Sequence, residues 1–95
     1  MPDDIPQRAM GRSCAVHVHR SLVPLEVHHV WPLGYGGPDV AANKVTLCSN
    51  GHSAVHDLLA RMLKGSVPWT VRRRYGWRTR RVAARGYDAI RKAGQ

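Results

Sequence analysis

Phenylalanine is absent from this 95-residue chain, and only 6% of its residues are aromatic. The core must therefore come from Val, Leu, Ile, Ala and three Trp. A single domain of this size buries little more than ~60% of the surface its unfolded chain exposes, so a bound metal or a disulfide is a useful staple. Acidic residues are scarce as well. Six Asp and Glu stand against fifteen Lys and Arg, for a formal charge of +9. Such an excess favours polyanionic partners, nucleic acid first and an anionic membrane surface second. No apolar run approaches the roughly 18 residues needed to span a bilayer, which argues against a membrane span. The start, MPDDIPQ, is acidic and proline-containing, unlike the basic start and apolar middle of a secretory signal, so the expected location is the cytoplasm. There are only two cysteines, Cys14 and Cys48. In a reducing compartment they are expected to stay thiols or to bind metal rather than to pair. Internal repeats and low-complexity tracts are also lacking.

Residues 1–12, with two prolines and a glycine, read as a loosely ordered lead-in. From Ser13 to Arg20, Val16 and Val18 alternate with His17 and His19 in a strand-like period of two, and Leu25, Val27 and His29 repeat it after Pro24. The segment 32–38 carries three glycines and two prolines and must be a loop. Lys44–Cys48 is short and β-branched, a second strand. A helix should begin next, with Ser49 or Asn50 as its N-cap, because Val55, Leu58, Leu59, Met62 and Leu63 recur at helical spacing and Gly65 supplies a stop. Strand, long loop, strand, helix is a small α+β arrangement over residues 13–65. Residues 66–95 form a basic extension, with a further helix expected from about Thr79 to Lys92.

The densest chemistry lies between Glu26 and His56. His52 and His56 are four residues apart on the expected helix, on one face and about 6 Å apart at Cβ, so they can hold one ion together. His28 and His29 are strand neighbours and point to opposite faces, so one can ligate while the other stays free. That split suits hydrolysis of a phosphodiester. An ion needs open positions for a phosphate oxygen and water, and a separate imidazole must take the water's proton. Histidine, with an unperturbed pKa near 6.5, is a suitable base at neutral pH. Taken singly, each of these residues has an ordinary reading: a surface histidine, Asn43 as a turn residue before a strand, Glu26 as an exposed strand carboxylate.

The pattern His28-His29, Asn43, His52, His56, with Glu26 two residues before the pair, Pro32 three after it and Gly36-Gly37 in the loop, resembles the HNH (ββα-metal, or His-Me finger) endonucleases. The likeness is nearest to small phage proteins of that family, and in its three-histidine site to the nuclease domains of DNase colicins. The resemblance implies a ββα-metal core: a two-stranded antiparallel hairpin with a long loop, a helix, and additional C-terminal helices here. It also implies roles. His28, His52 and His56 would ligate one divalent ion, His29 would be the general base, and Asn43 would brace the loop that aims His29. Glu26 would orient a nearby arginine, Arg12 or Arg20. The products would carry 5′-phosphate and 3′-hydroxyl ends. An imidazole-rich site favours transition metals as tight binders, but Zn, Mg, Mn and Ni all stand as working ions. A phage origin would make the DNA-packaging terminase a partner and the bacterial host cytoplasm the location.

Many phage relatives carry two CxxC pairs that bind a structural zinc. Here the first slot reads Cys14-Ala-Val-His17 and the second keeps only Cys48. Two readings stand: a structural zinc held by Cys14, His17 and Cys48, with His19 as a further donor, or Cys48 as a small buried apolar residue with Cys14 a relic or an occasional disulfide partner. In the basic half, Arg72, Arg73, Arg74, Arg78, Arg80 and Arg81 lie within ten residues with no acid among them. They are expected to contact phosphates, with binding that weakens steeply in salt. Trp69 and Trp77 are expected to pack into the core. The leading expectation is a metal-dependent endonuclease that nicks or cuts double-stranded DNA with little sequence preference of its own. The alternative is a non-catalytic, metal-stabilised nucleic-acid-binding module, in which an unligated His29 would have no use.

Overall fold

The computed structural model describes residues 14–16 and 24–94. Two antiparallel strands, β1 (Leu25–His29) and β2 (Lys44–Cys48), pair in the register Leu25↔Cys48, Val27↔Thr46 and His29↔Lys44. Three α-helices follow: α1 (Ser49–Lys64), the single turn α2 (Trp69–Arg72) and α3 (Trp77–Ala93). This is the α+β, ββα-type arrangement expected from the sequence, with further helices after it. Among the described residues no helix is long and apolar enough to cross a membrane.

The loop between the strands is tied to itself along its backbone. It contains two 3-10 turns, Leu33–Tyr35 and Ala41–Asn43. Gly36 takes a left-handed φ of 92°, which a side chain would disfavour. Gly37 donates its N–H to the Pro32 carbonyl, and a Cβ there would lie 1.8 Å from the Trp31 carbonyl oxygen. The glycine pair thus folds the loop back on its own start.

The helix α1 begins where strand β2 ends, with no linker. Its N-cap is Cys48 rather than Ser49 or Asn50: the thiol sulfur accepts from the Gly51 N–H at 3.3 Å. Cys48 is the last extended residue, so its side chain is the one placed over the first turn's orphan donors. Helix α1 stops at Lys64 as expected, although Gly65 leaves it in extended rather than left-handed backbone.

Leu47, Val55, Leu58 and Leu59 form the core with Val30, Val82 and Ala83, so helix α3 closes over α1 and the end of β1. Helix α3 starts two residues earlier than expected. Gly86 lets it approach closely, because a Cβ there would lie 2.4 Å from the Val30 carbonyl oxygen. Cys14 and Val16 join the same core, and Ala15 donates to the Thr46 carbonyl at 2.8 Å, but residues 14–16 are not a strand. The remainder of the strand expected from Ser13 to Arg20 lies outside the described residues.

Candidate metal centre

Glu26 and His28 share one face of β1, and that face looks onto the first turns of α1. His28 is only 2% exposed, although it is polar. Its ring lies 5.2 Å from that of His52 and 5.1 Å from that of His56, and the His52 and His56 rings are 4.6 Å apart. One nitrogen from each of the three lies within 4.8 Å of the others. The Nε2 atoms of His52 and His56 approach to 3.0 Å, near the separation of two imidazole nitrogens that share one ion at the usual ~2.0–2.1 Å.

Two observations show that these residues fit a metal. The Nε2 of His28 is buried and has no hydrogen-bond partner among the described residues. An orphaned polar atom is costly to bury unless something else satisfies it. Burial, and then the neighbouring His56 and His52, push the His28 pKa down to about 4. Burial and His52 also lower that of His56. Both rings are therefore held neutral, the form that offers a lone pair to a cation.

Glu26 completes the cluster from the side. Its Oε1 lies 2.7 Å from His52 Nδ1, and its Oε2 accepts from the Ser49 hydroxyl at 3.4 Å. A carboxylate only accepts, so His52 carries its proton on Nδ1 and turns a bare Nε2 toward the other two histidines. The family resemblance implies an arginine as the partner of Glu26. Arg12 and Arg20 lie outside the described residues, and the partner observed is a histidine of the cluster.

His29 points to the other side of the strand, as the alternation requires. Its Nε2 lies 2.9 Å from Asp39 Oδ1, and the same oxygen takes the Lys44 ammonium at 3.0 Å. Asn43 is a brace for the loop. Its Oδ1 accepts from the Trp31 N–H, and its Nδ2 donates to the carbonyls of Trp31 and Pro38, all at 2.9 Å. None of these bonds goes to His29. The carboxylate beside that imidazole is Asp39, which the sequence pattern does not single out; its one signal is an isolated acid in the loop of a chain with only six.

Among the described residues the three histidines are the one cluster with metal-ligand geometry. Cys14 and Cys48 are both buried in the apolar core, and Cys48 caps α1. His17 and His19 lie outside the described residues.

The arginines expected to meet phosphate flank α2 and open α3. Arg72, Arg73, Arg74, Arg78 and Arg81 are exposed and Arg80 is half-buried. The two tryptophans among them do not pack into the core. Trp69 is 54% and Trp77 55% exposed, because Val55, Leu58, Leu59, Val82 and Ala83 already fill the space between α1 and α3. Each carries arginine instead: Arg80 and Arg72 lie 5.0 and 5.6 Å from the Trp69 ring, and Arg78 lies 4.8 Å from that of Trp77. Tyr75 hydrogen-bonds Asp57 and its carbonyl accepts from Arg80, which ties this surface to α1 one residue beyond His56.

Residues 12–58 match the HNH endonuclease family. Among curated proteins, the type IV methyl-directed restriction enzyme EcoKMcrA of Escherichia coli (strain K12) is 41% identical over 46 residues. That segment is 48% of this chain and 17% of the enzyme, so the chain spans about a sixth of the length of this relative. No solved structure matches significantly.

Proposed function

We propose that this chain, which carries an HNH endonuclease domain, is a divalent-metal-dependent endonuclease that hydrolyses phosphodiester bonds of double-stranded DNA. One observation carries the reading: three imidazoles converge on a single point while the fourth, the next residue along the strand, turns to a carboxylate instead. A structural metal site has no need of that fourth histidine.

His28, His52 and His56 would hold the ion, and three protein ligands leave it open to substrate. When bound, the ion supplies Lewis-acid stabilisation of the charge that builds on the phosphate and the departing 3′-oxygen. His29 accepts the proton of the attacking water. Asn43 keeps the loop folded so that the imidazole stays beside the substrate. Glu26 fixes the tautomer of His52. Arg72, Arg73, Arg74, Arg78 and Arg81 would hold phosphates, with Arg80 divided between this task and its contacts to Trp69 and Tyr75. A domain this small has little surface for reading a long site, and its E. coli relative is a much longer protein. Specificity would then come from elsewhere, and the likeness to phage proteins makes a DNA-packaging terminase the partner to test.

The purified protein incubated with supercoiled plasmid and Mg, Mn, Ni or Zn should nick or linearise it with at least one ion, and chelation should stop the reaction. Tight DNA binding with no cutting under any ion would overturn the reading in favour of a non-catalytic binding module.

A further inference from the structure

Asp39 sits in the second half of the inter-strand loop, just before its second 3-10 turn, and two independent constraints bring its carboxylate to His29. The first is the loop backbone. Asn43 grips the carbonyl of Pro38, the residue before Asp39, and Gly37 is bonded to the Pro32 carbonyl. The second is Lys44, the cross-strand partner of His29, whose ammonium lies 3.0 Å from the same Asp39 oxygen that faces the imidazole. The hydrogen bonds from His29 and Lys44 hold the Asp39 carboxyl below its ordinary range, so it is ionised and can only accept.

An acceptor-only group 2.9 Å from His29 Nε2 requires that this nitrogen carry the ring proton. The neutral ring then has its lone pair on Nδ1. We propose that Asp39 is a positioning residue for the hydrolytic base: it locks His29 in the Nε2–H tautomer and rotamer that presents the Nδ1 lone pair to water. The inference rests on His29 being that base. It also separates two tasks that the loop performs, since Asn43 holds the backbone and Asp39 holds the ring.

If Asp39 merely neutralised Lys44, its removal would leave the tautomer of His29 unchanged, so the test reads the tautomer directly. Zinc-loaded wild-type, Asp39→Ala and His29→Ala proteins are compared by imidazole nitrogen NMR at about pH 8, above the usual histidine range. The His29→Ala spectrum assigns the signal. Wild type should show His29 protonated on Nε2, and Asp39→Ala a mixture of both tautomers. In cleavage assays with an ion that supports cutting, Asp39→Ala should lower kcat about 10- to 100-fold, part of the ~10²–10⁴ that a positioned base contributes. KM and bound metal should stay at wild-type values. An unchanged tautomer in Asp39→Ala overturns the proposal. So does an unchanged kcat where His29→Ala is inactive, or a kcat loss that comes with lost metal. If wild type cuts nothing, the endonuclease reading fails on its own, and the spectra still decide whether Asp39 sets the tautomer.

Discussion

Glu26 illustrates how one residue's job follows from strand parity. Two positions before His28, it must share that histidine's face, and the face looks onto α1, so its carboxylate meets His52 at 2.7 Å. Changing Glu26→Gln keeps the size but removes the charge and lets an amide N–H face the ring, which no longer fixes the tautomer. Metal affinity should fall about 10- to 100-fold, the usual cost of losing a partner behind a metal ligand. Competition with a chromophoric chelator measures this, and an unchanged affinity would contradict the role given to Glu26. The four histidines are legible as a site because their spacing combines two simple periods, alternation in the strand and four residues in the helix. Asp39 is not, because ten residues separate it from His29 in sequence and only the folded path of the loop joins them. Cys48 is hard to foresee as a cap because thiols rank below hydroxyls and carboxylates there, although the strand-to-helix junction leaves it the nearest acceptor.

Among elements, α3 does more than extend the chain. Its Gly86 rests on the Val30 carbonyl, in the residue directly after His29, so the packing of α3 sets the backbone from which His29 projects. A methyl at Gly86 would strike backbone rather than a yielding side chain. Gly86→Ala should therefore destabilise the fold by about 1–3 kcal/mol through overpacking, of which the better helix propensity of Ala returns no more than ~1. Gly34→Ala in the inter-strand loop, where an added Cβ meets nothing within 4 Å, should leave the denaturation midpoint close to wild type. Equal midpoints for the two variants would show that α3 does not press on the site. Strands β1 and β2 and helix α1 are readable because apolar periodicity and Gly65 mark them locally. The turn α2 is not: four residues give too short a window for a period, and Pro68 sets its start. The exposure of Trp69 and Trp77 escapes the sequence for a related reason. Sequence shows that large apolar groups are scarce, but not that smaller ones from α1 and α3 have already closed the core.

For the whole molecule, the positive charge and the histidine cluster belong to one folded body, since Val82 and Ala83 share a core with Val55 and Leu58. Cutting the chain at Gly65 would uncover that core, so the role of the basic surface is better tested by substitution. Arg72, Arg73 and Arg74 are all exposed. Replacing the three with Gln should flatten the dependence of log K on log salt by about 2–3, near 0.9 for each duplex-DNA phosphate that is no longer neutralised. An unchanged slope would mean that the arginines face solvent only. The central claim concerns the division of labour among the histidines, and it is tested most directly by measuring bound metal and plasmid cleavage on the same preparations of His29→Ala and His56→Ala. His29→Ala should keep its metal and lose cleavage, while His56→Ala should lose both. A His29→Ala protein that cuts as fast as wild type, or one that has lost its metal, would contradict the account.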